Sequence, residues 1–95
     1  MKYDIVLTTA FKNCLKTIRK RGKDLAKLTM VVDMIAKGEQ LDAKYHDHAL
    51  ISNKYFKNCR ELHLEPDWLL VYKINDKELI LFLMETGTHS DLFNM

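Results

Sequence analysis

Residues 68–72, Trp-Leu-Leu-Val-Tyr, are apolar at every position, so an extended segment here presents hydrophobic side chains to both of its faces. Such a segment fits a central strand covered on both sides, and it fixes the middle of whatever sheet the chain builds. It follows Cys59-Arg-Glu-Leu-His-Leu-Glu-Pro-Asp67, a second strand candidate ending in a Pro-containing turn. Residues 59–72 therefore read as strand, turn and strand, which folds His63 and Asp67 back toward each other. An imidazole, a carboxylate and an indole (His63, Asp67 and Trp68) fall within six residues, the first sign of a site.

The rest of the chain supplies partners for this strand. Three strands are expected at about 58–64, 67–74 and 78–85, with Asn75-Asp76 as the turn between the last two. Near the start, Tyr3, Ile5 and Leu7 alternate with Lys2, Asp4 and Val6 in a mostly period-two pattern that reads as a short first strand. Phe11, Cys14, Leu15 and Ile18 recur at helical spacing between Thr9 and Arg21, with Thr8 or Thr9 as N-cap and Gly22 at the end. Asp24 caps a second helix carrying Leu25, Leu28, Val32 and Ile35 before Gly38 ends it. So short a link forces an antiparallel helical hairpin whose apolar side covers one face of the sheet. Residues 39–57 show little regular pattern, and long irregular segments in compact domains are often functional. Thr86-Gly87-Thr88 breaks the sheet, and His89 to Phe93 makes a final helical turn.

A length of 95 residues gives one domain with one core, spanning 1–95. The longest apolar run, Leu79 to Met84, is far shorter than the roughly 20 residues of a membrane helix. Asp4 and Lys12 interrupt any signal-peptide core, so a cytoplasmic location and no membrane partner are expected. Cys14 and Cys59 have no metal-type spacing and are expected to be reduced, packed thiols. The net charge of +2 is unevenly placed: residues 1–47 hold ten basic and six acidic groups, residues 48–95 five and seven. Lys16, Arg19, Lys20, Arg21, Lys23 and Lys27 form the densest basic run, which suits phosphates or an acidic partner, or simply a solvated helix face.

His48, His63 and His89 sit beside an Asp or Trp or in a Gly-containing loop. Strand ends and loops that converge on one cleft would let two imidazoles act as base and acid in one reaction. Metal binding competes for His46, His48, His63, His89 and Asp67. His-x-His alone is a weak signal, and without a cysteine pair or helical histidines four apart, no metal and no cofactor are expected. No Ser lies in a nucleophile elbow.

Three ordered motifs carry a resemblance that spans nearly the whole chain. Tyr45-His-Asp-His-Ala-Leu50, Arg60-Glu-Leu-His-Leu-Glu-Pro-Asp-Trp-Leu-Leu-Val-Tyr-Lys73 and Thr86-Gly-Thr-His-Ser-Asp-Leu-Phe93 resemble the YafQ family of bacterial toxins, in the RelE/ParE superfamily of type II toxin–antitoxin systems. The resemblance implies an α+β, RelE-like fold: an N-terminal strand, the helical hairpin packed on a small, mainly antiparallel four-stranded sheet, and a short C-terminal helical turn. It also implies a ribosome-dependent endoribonuclease that cuts mRNA in the ribosomal A site without metal and is neutralised by a cognate antitoxin. By motif, His48, His63, Asp67 and His89 match the catalytic group, with Trp68 and Phe93 lining the RNA site. In metal-free cleavage a base deprotonates the 2′-hydroxyl and an acid protonates the departing 5′-oxygen. His48 or Asp67 is expected as base and His89 as acid, with His63 holding the phosphate or sharing either role.

One position departs from the family pattern. An Arg commonly precedes the Thr-Gly-[Thr/Ser]-His motif, where a cation stabilises the pentavalent phosphate; here it is Glu85. Either Lys54, Lys57, Arg60 or another nearby basic group substitutes, with Lys54 and Arg60 then RNA-binding, or the nuclease is weakened. The alternative function is a toxin-fold protein that acts by binding alone, on a target or on its antitoxin. The chain has no DNA-reading motif, so operator DNA is reached only through the antitoxin.

Overall fold

The structure is a computed structural model, and it describes residues 1–51 and 55–93. In chain order the elements are β1 (Asp4–Leu7), α1 (Thr9–Lys20), α2 (Leu25–Ala36), a 3₁₀ turn (Ala43–Tyr45), β2 (His48–Ala49), β3 (Arg60–Glu65), β4 (Trp68–Asn75), β5 (Ile80–Gly87) and α3 (His89–Phe93). The sheet runs β1-β5-β4-β3-β2, so the doubly apolar strand β4 is its centre. All neighbours are antiparallel except β1, which precedes the helices in the chain and pairs parallel with β5.

The sheet has five strands where four were expected. The added one, His48–Ala49, pairs with Glu61 and Arg60 inside the stretch that showed no periodicity. Two residues are too few to display an alternation, so only the tertiary pairing reveals this strand. The sheet also extends further than expected at its other end, since Thr86 and Gly87 still pair with Leu70 and Leu69.

Both helices have the caps that their sequences promise. The Thr8 hydroxyl accepts from the Phe11 N–H at 3.1 Å and donates to the carbonyls of Leu83 and Met84, which ties the start of α1 to β5. Asp24 accepts from the Ala26 N–H at the start of α2. Gly22 and Gly38 hold φ of 74° and 78°, the left-handed conformation that lets each helix end with crossed N–H bonds to its last carbonyls. Phe11 and Ile18 of α1 and Leu28, Val31, Val32 and Ile35 of α2 are buried in one cluster with Leu62, Leu64, Trp68, Leu70, Tyr72, Leu81 and Leu83. Each such aliphatic side chain contributes about 1.5–3 kcal/mol on burial, so this layer dominates stability.

The opposite face of the sheet is covered differently. Phe56, Cys59 and Val71 form a small second cluster with Leu50, Met84, Leu92 and Phe93 packed against it, and Leu69 of β4 is fully buried on the same face. Two bulges lie on this sheet, between His63 and Glu65 on β3 and opposite Val71 and Tyr72 on β5. Extra residues of this kind bend strands and re-aim side chains. No helix among the described residues is long and apolar enough to cross a membrane.

Candidate active site

The site begins with strand periodicity. Leu62 and Leu64 point into the helix-side core, so Glu61 and His63 project from the opposite face of β3. The β2–β3 register sets His48 directly across from Glu61. Glu61 Oε1 then lies 3.4 Å from Nε2 of both His48 and His63, an ion-pair distance when either ring is protonated. The Glu61 side chain is only 7% exposed while His48 is 51% exposed, so a nearly buried carboxylate faces an imidazole open to solvent.

His63 is the hub of all four histidines. Its ring centre is 5.8 Å from that of His46, 6.5 Å from His48 and 5.7 Å from His89. His46 takes part because it caps the 3₁₀ turn with a φ of 50°, a left-handed conformation uncommon for a residue with a side chain. The next residue anchors this turn: Asp47 accepts from the Tyr72 hydroxyl at 2.8 Å and from Arg60 Nε at 3.2 Å. Burial, followed by the hydrogen bond to Asp47, raises the Tyr72 hydroxyl's pKa well above the usual tyrosine value, so it remains a donor.

Asp67 and His89 form the second half of the site. Asp67 Oδ1 accepts from the His89 backbone N–H at 2.9 Å and lies 2.7 Å from its Nδ1. The His89 N–H, and then its imidazole, hold the Asp67 carboxyl below the usual range, so it is an ionised acceptor. Nδ1 is therefore the donor, and Nε2 is left to exchange a proton. Thr88 and Asp91 cap the start of α3 reciprocally, Thr88 N–H to Asp91 Oδ2 at 2.9 Å and Asp91 N–H to the Thr88 hydroxyl at 3.1 Å. Arg21, just past the end of α1, grips Asp91 with two nitrogens at 2.6 and 3.2 Å. That guanidinium, ahead of the Thr88 N–H, brings the Asp91 carboxyl down to about 2.

Several expectations need correction. His63 and Asp67 do not pair: His63 faces Glu61, and Asp67 binds His89. Trp68 does not line an open RNA site, because it is fully buried in the helix-side core with its indole N–H on the Thr86 hydroxyl at 2.9 Å. Arg60 alternates with Glu61 and so leaves β3 on the other side, where it pairs with Asp47. Phe93 stays on the site face, packed edge-on against Phe56 at 5.8 Å. Lys54 lies outside the described residues. Glu85 stands opposite Val71, which is itself opposite Glu61, so it shares the site face; burial raises its carboxyl pKa.

Glu61 is the residue that sequence reasoning missed at the cluster, and His46 entered it only as a possible metal ligand. Glu61 was legible in principle, since it lies two residues before His63 and a strand places both on one face. His48, Glu61 and His63 also offer three ligand atoms within 4.8 Å of one another, a donor set able to hold a metal ion. Linear spacing hid it, because the strand register brings His48 in from 13 residues away.

The family model described as bacterial toxin of type II toxin–antitoxin system, YafQ, matches residues 3–94. The mRNA interferase toxin YafQ of Escherichia coli BL21-DE3 is 40% identical over 91 residues, 95% of each chain. The toxin in the solved E. coli DinJ–YafQ complex superimposes with a TM-score of 0.84 at 39% identity, covering 96% of this chain and 98% of that one. A metal-bound toxin from Helicobacter pylori gives 0.89 at 43% identity over 98% and 100%.

Proposed function

On the premise that the chain belongs to the YafQ family of bacterial type II toxins, we propose that it is a ribosome-dependent mRNA endonuclease held in check by a cognate antitoxin. The observation that carries this reading is the pairing of two imidazole–carboxylate units on one sheet face, Glu61 with His48 and His63, and Asp67 with His89.

The chemistry uses those units in sequence. His48, the more exposed imidazole of the Glu61 pair, takes the proton of the 2′-hydroxyl, and Glu61 stabilises the imidazolium that forms. The 2′-oxygen attacks the adjacent phosphorus. His89, held by Asp67 through Nδ1, gives its Nε2 proton to the departing 5′-oxygen, while His63 between them faces the phosphate. The products are a 2′,3′-cyclic phosphate and a 5′-hydroxyl. Asp67 is assigned to orienting His89 rather than to the base, because its lowered pKa makes it a weak proton acceptor. No step needs a metal, and an ion bound by His48, Glu61 and His63 would occupy the lone pairs that the reaction uses.

Partners follow from the same reading. A cognate antitoxin is the partner, as the E. coli relative is solved in a toxin–antitoxin complex with DinJ, and the pair reaches operator DNA through the antitoxin. The mRNA is met in the ribosomal A site in the cytoplasm. Primer extension on translating ribosomes, using protein stripped of metal beforehand, tests the reading. The parent is expected to cut, and His89→Gln to lose about 10²–10⁴ in rate. Glu85 on the site face favours one second reading, a weakened nuclease that acts mainly by binding. Cleavage that appears only in Glu85→Arg would select it; absence of cleavage in both would exclude nuclease action.

A further inference from the structure

Beside the cluster, on the helix side of His63, lies a groove of about 610 Å³ that the cleavage chemistry leaves unused. Lys27 and Met30 of α2 form one wall, Lys44 and His46 of the 3₁₀ turn another, and His63 and Pro66 close the third. Its size falls in the range of about 300–1,000 Å³ typical of small-ligand sites. Because His63 borders both this groove and the Glu61 pair, a polymer bound at the reacting centre can continue into it without a break.

The groove is electrically suited to an anion. Glu65 is its one carboxylate, and it is already matched by Lys23 at 2.9 Å and Lys27 at 3.1 Å. Lys44 lies over the Tyr45 ring at 5.3 Å and makes no ion pair among the described residues. His46 lines the same groove, its backbone left-handed and its ring edge-on to that of His63. Apolar surface in the same groove comes from Met30, 52% exposed, and from Pro66. Cations together with exposed apolar surface in one groove offer a contact for a phosphate and a surface for the base attached to it.

We propose that this groove is a nucleotide subsite, taking the nucleotide next to the scissile phosphate, with its phosphate between Lys44 and His46 and its base against Met30 and Pro66. The inference rests on the ribonuclease reading for its substrate, but its geometry is separate from the proton-transfer groups. His46 acts here as a binding residue, and Lys44 as the principal charge.

An uncleavable 2′-O-methyl trinucleotide, titrated into the parent protein and followed by backbone and imidazole NMR, tests it. Shifts are expected at Met30, Lys44 and His46 together with His63. Lys44→Ala and His46→Asn, the latter chosen because Asn tolerates the left-handed backbone, should each weaken binding about 5–10-fold. The salt slope of log Kd should fall by about 0.7 in Lys44→Ala. Shifts confined to His48, Glu61 and His89 with unchanged affinity in both variants would overturn the subsite, and so would a parent that binds nothing at millimolar trinucleotide. Ribosome assays separate the two readings. A parent that fills the groove while neither it nor Glu85→Arg cuts mRNA refutes the nuclease and upholds the subsite, whereas variants that cut at the parent's half-saturating concentration refute the subsite alone.

Discussion

Glu61 is the residue on which the cluster depends, because one nearly buried carboxylate serves two imidazoles that arrive from different strands. Glu61→Gln keeps the shape and removes the charge, so both rings lose the carboxylate that faces them. Single-turnover cleavage by that variant should fall on the order of 10–100-fold, from mispositioned imidazoles and the loss of the charge that faces them, with little change in thermal midpoint. Unchanged cleavage would remove Glu61 from the mechanism. Trp68 should behave in the reverse way. Trp68→Phe loses the buried bond to Thr86 and leaves a gap in the core, so urea unfolding should show a loss of about 1–3 kcal/mol, with RNA affinity per folded molecule unaltered. A selective loss of RNA binding would restore the stacking role. At this scale His48, His63, Asp67 and His89 were all visible as chemistry in the sequence. Their pairings were not, since a side chain's partner across a sheet depends on register rather than on chain distance.

The turn from β5 into α3 is where elements are pinned to carry that chemistry. Arg21 reaches from the end of α1 to Asp91, which caps α3 from within, while Asp67 in the β3–β4 turn holds the His89 N–H. Both carboxyls sit below their ordinary range in the folded protein, Asp91 at about 2. A depressed folded value means that their stabilisation is fully present above the unfolded value near 4 and is lost as pH falls toward 2. Thermal midpoints of the parent and Asp91→Asn should therefore differ most above about pH 4 and converge by about pH 2. A constant gap across that range would show that the carboxylate charge is not what holds α3. Elements with local signals were legible: the Thr8 and Asp24 caps, the two glycine ends and the final turn at His89 to Phe93 all stand where the sequence put them. The two-residue β2 was not, although it delivers His48, because nothing local to residues 48–49 distinguishes a strand from a loop.

Across the whole molecule the two faces of the sheet divide the work. Helices seal one face into a continuous core, and the other carries the paired imidazoles and carboxylates over a small apolar cluster. The apolar strand at residues 68–72 announced a covered centre. It did not show that the second cover would be partial, with charged groups at its margin, since Leu69 and Val71 are apolar in either case. The proposed division of labour has a chemical signature. If imidazoles drive the 2′-oxygen onto the phosphorus, the cut must leave the phosphate on the upstream fragment. The most direct measurement is therefore the end-group analysis of mRNA cut on translating ribosomes. A 2′,3′-cyclic phosphate, or the 3′-phosphate formed by its hydrolysis, together with a 5′-hydroxyl is the expected result. A 3′-hydroxyl with a 5′-phosphate would mean that water or hydroxide attacked instead, and would contradict the mechanism assigned to His48, Glu61, His63 and His89.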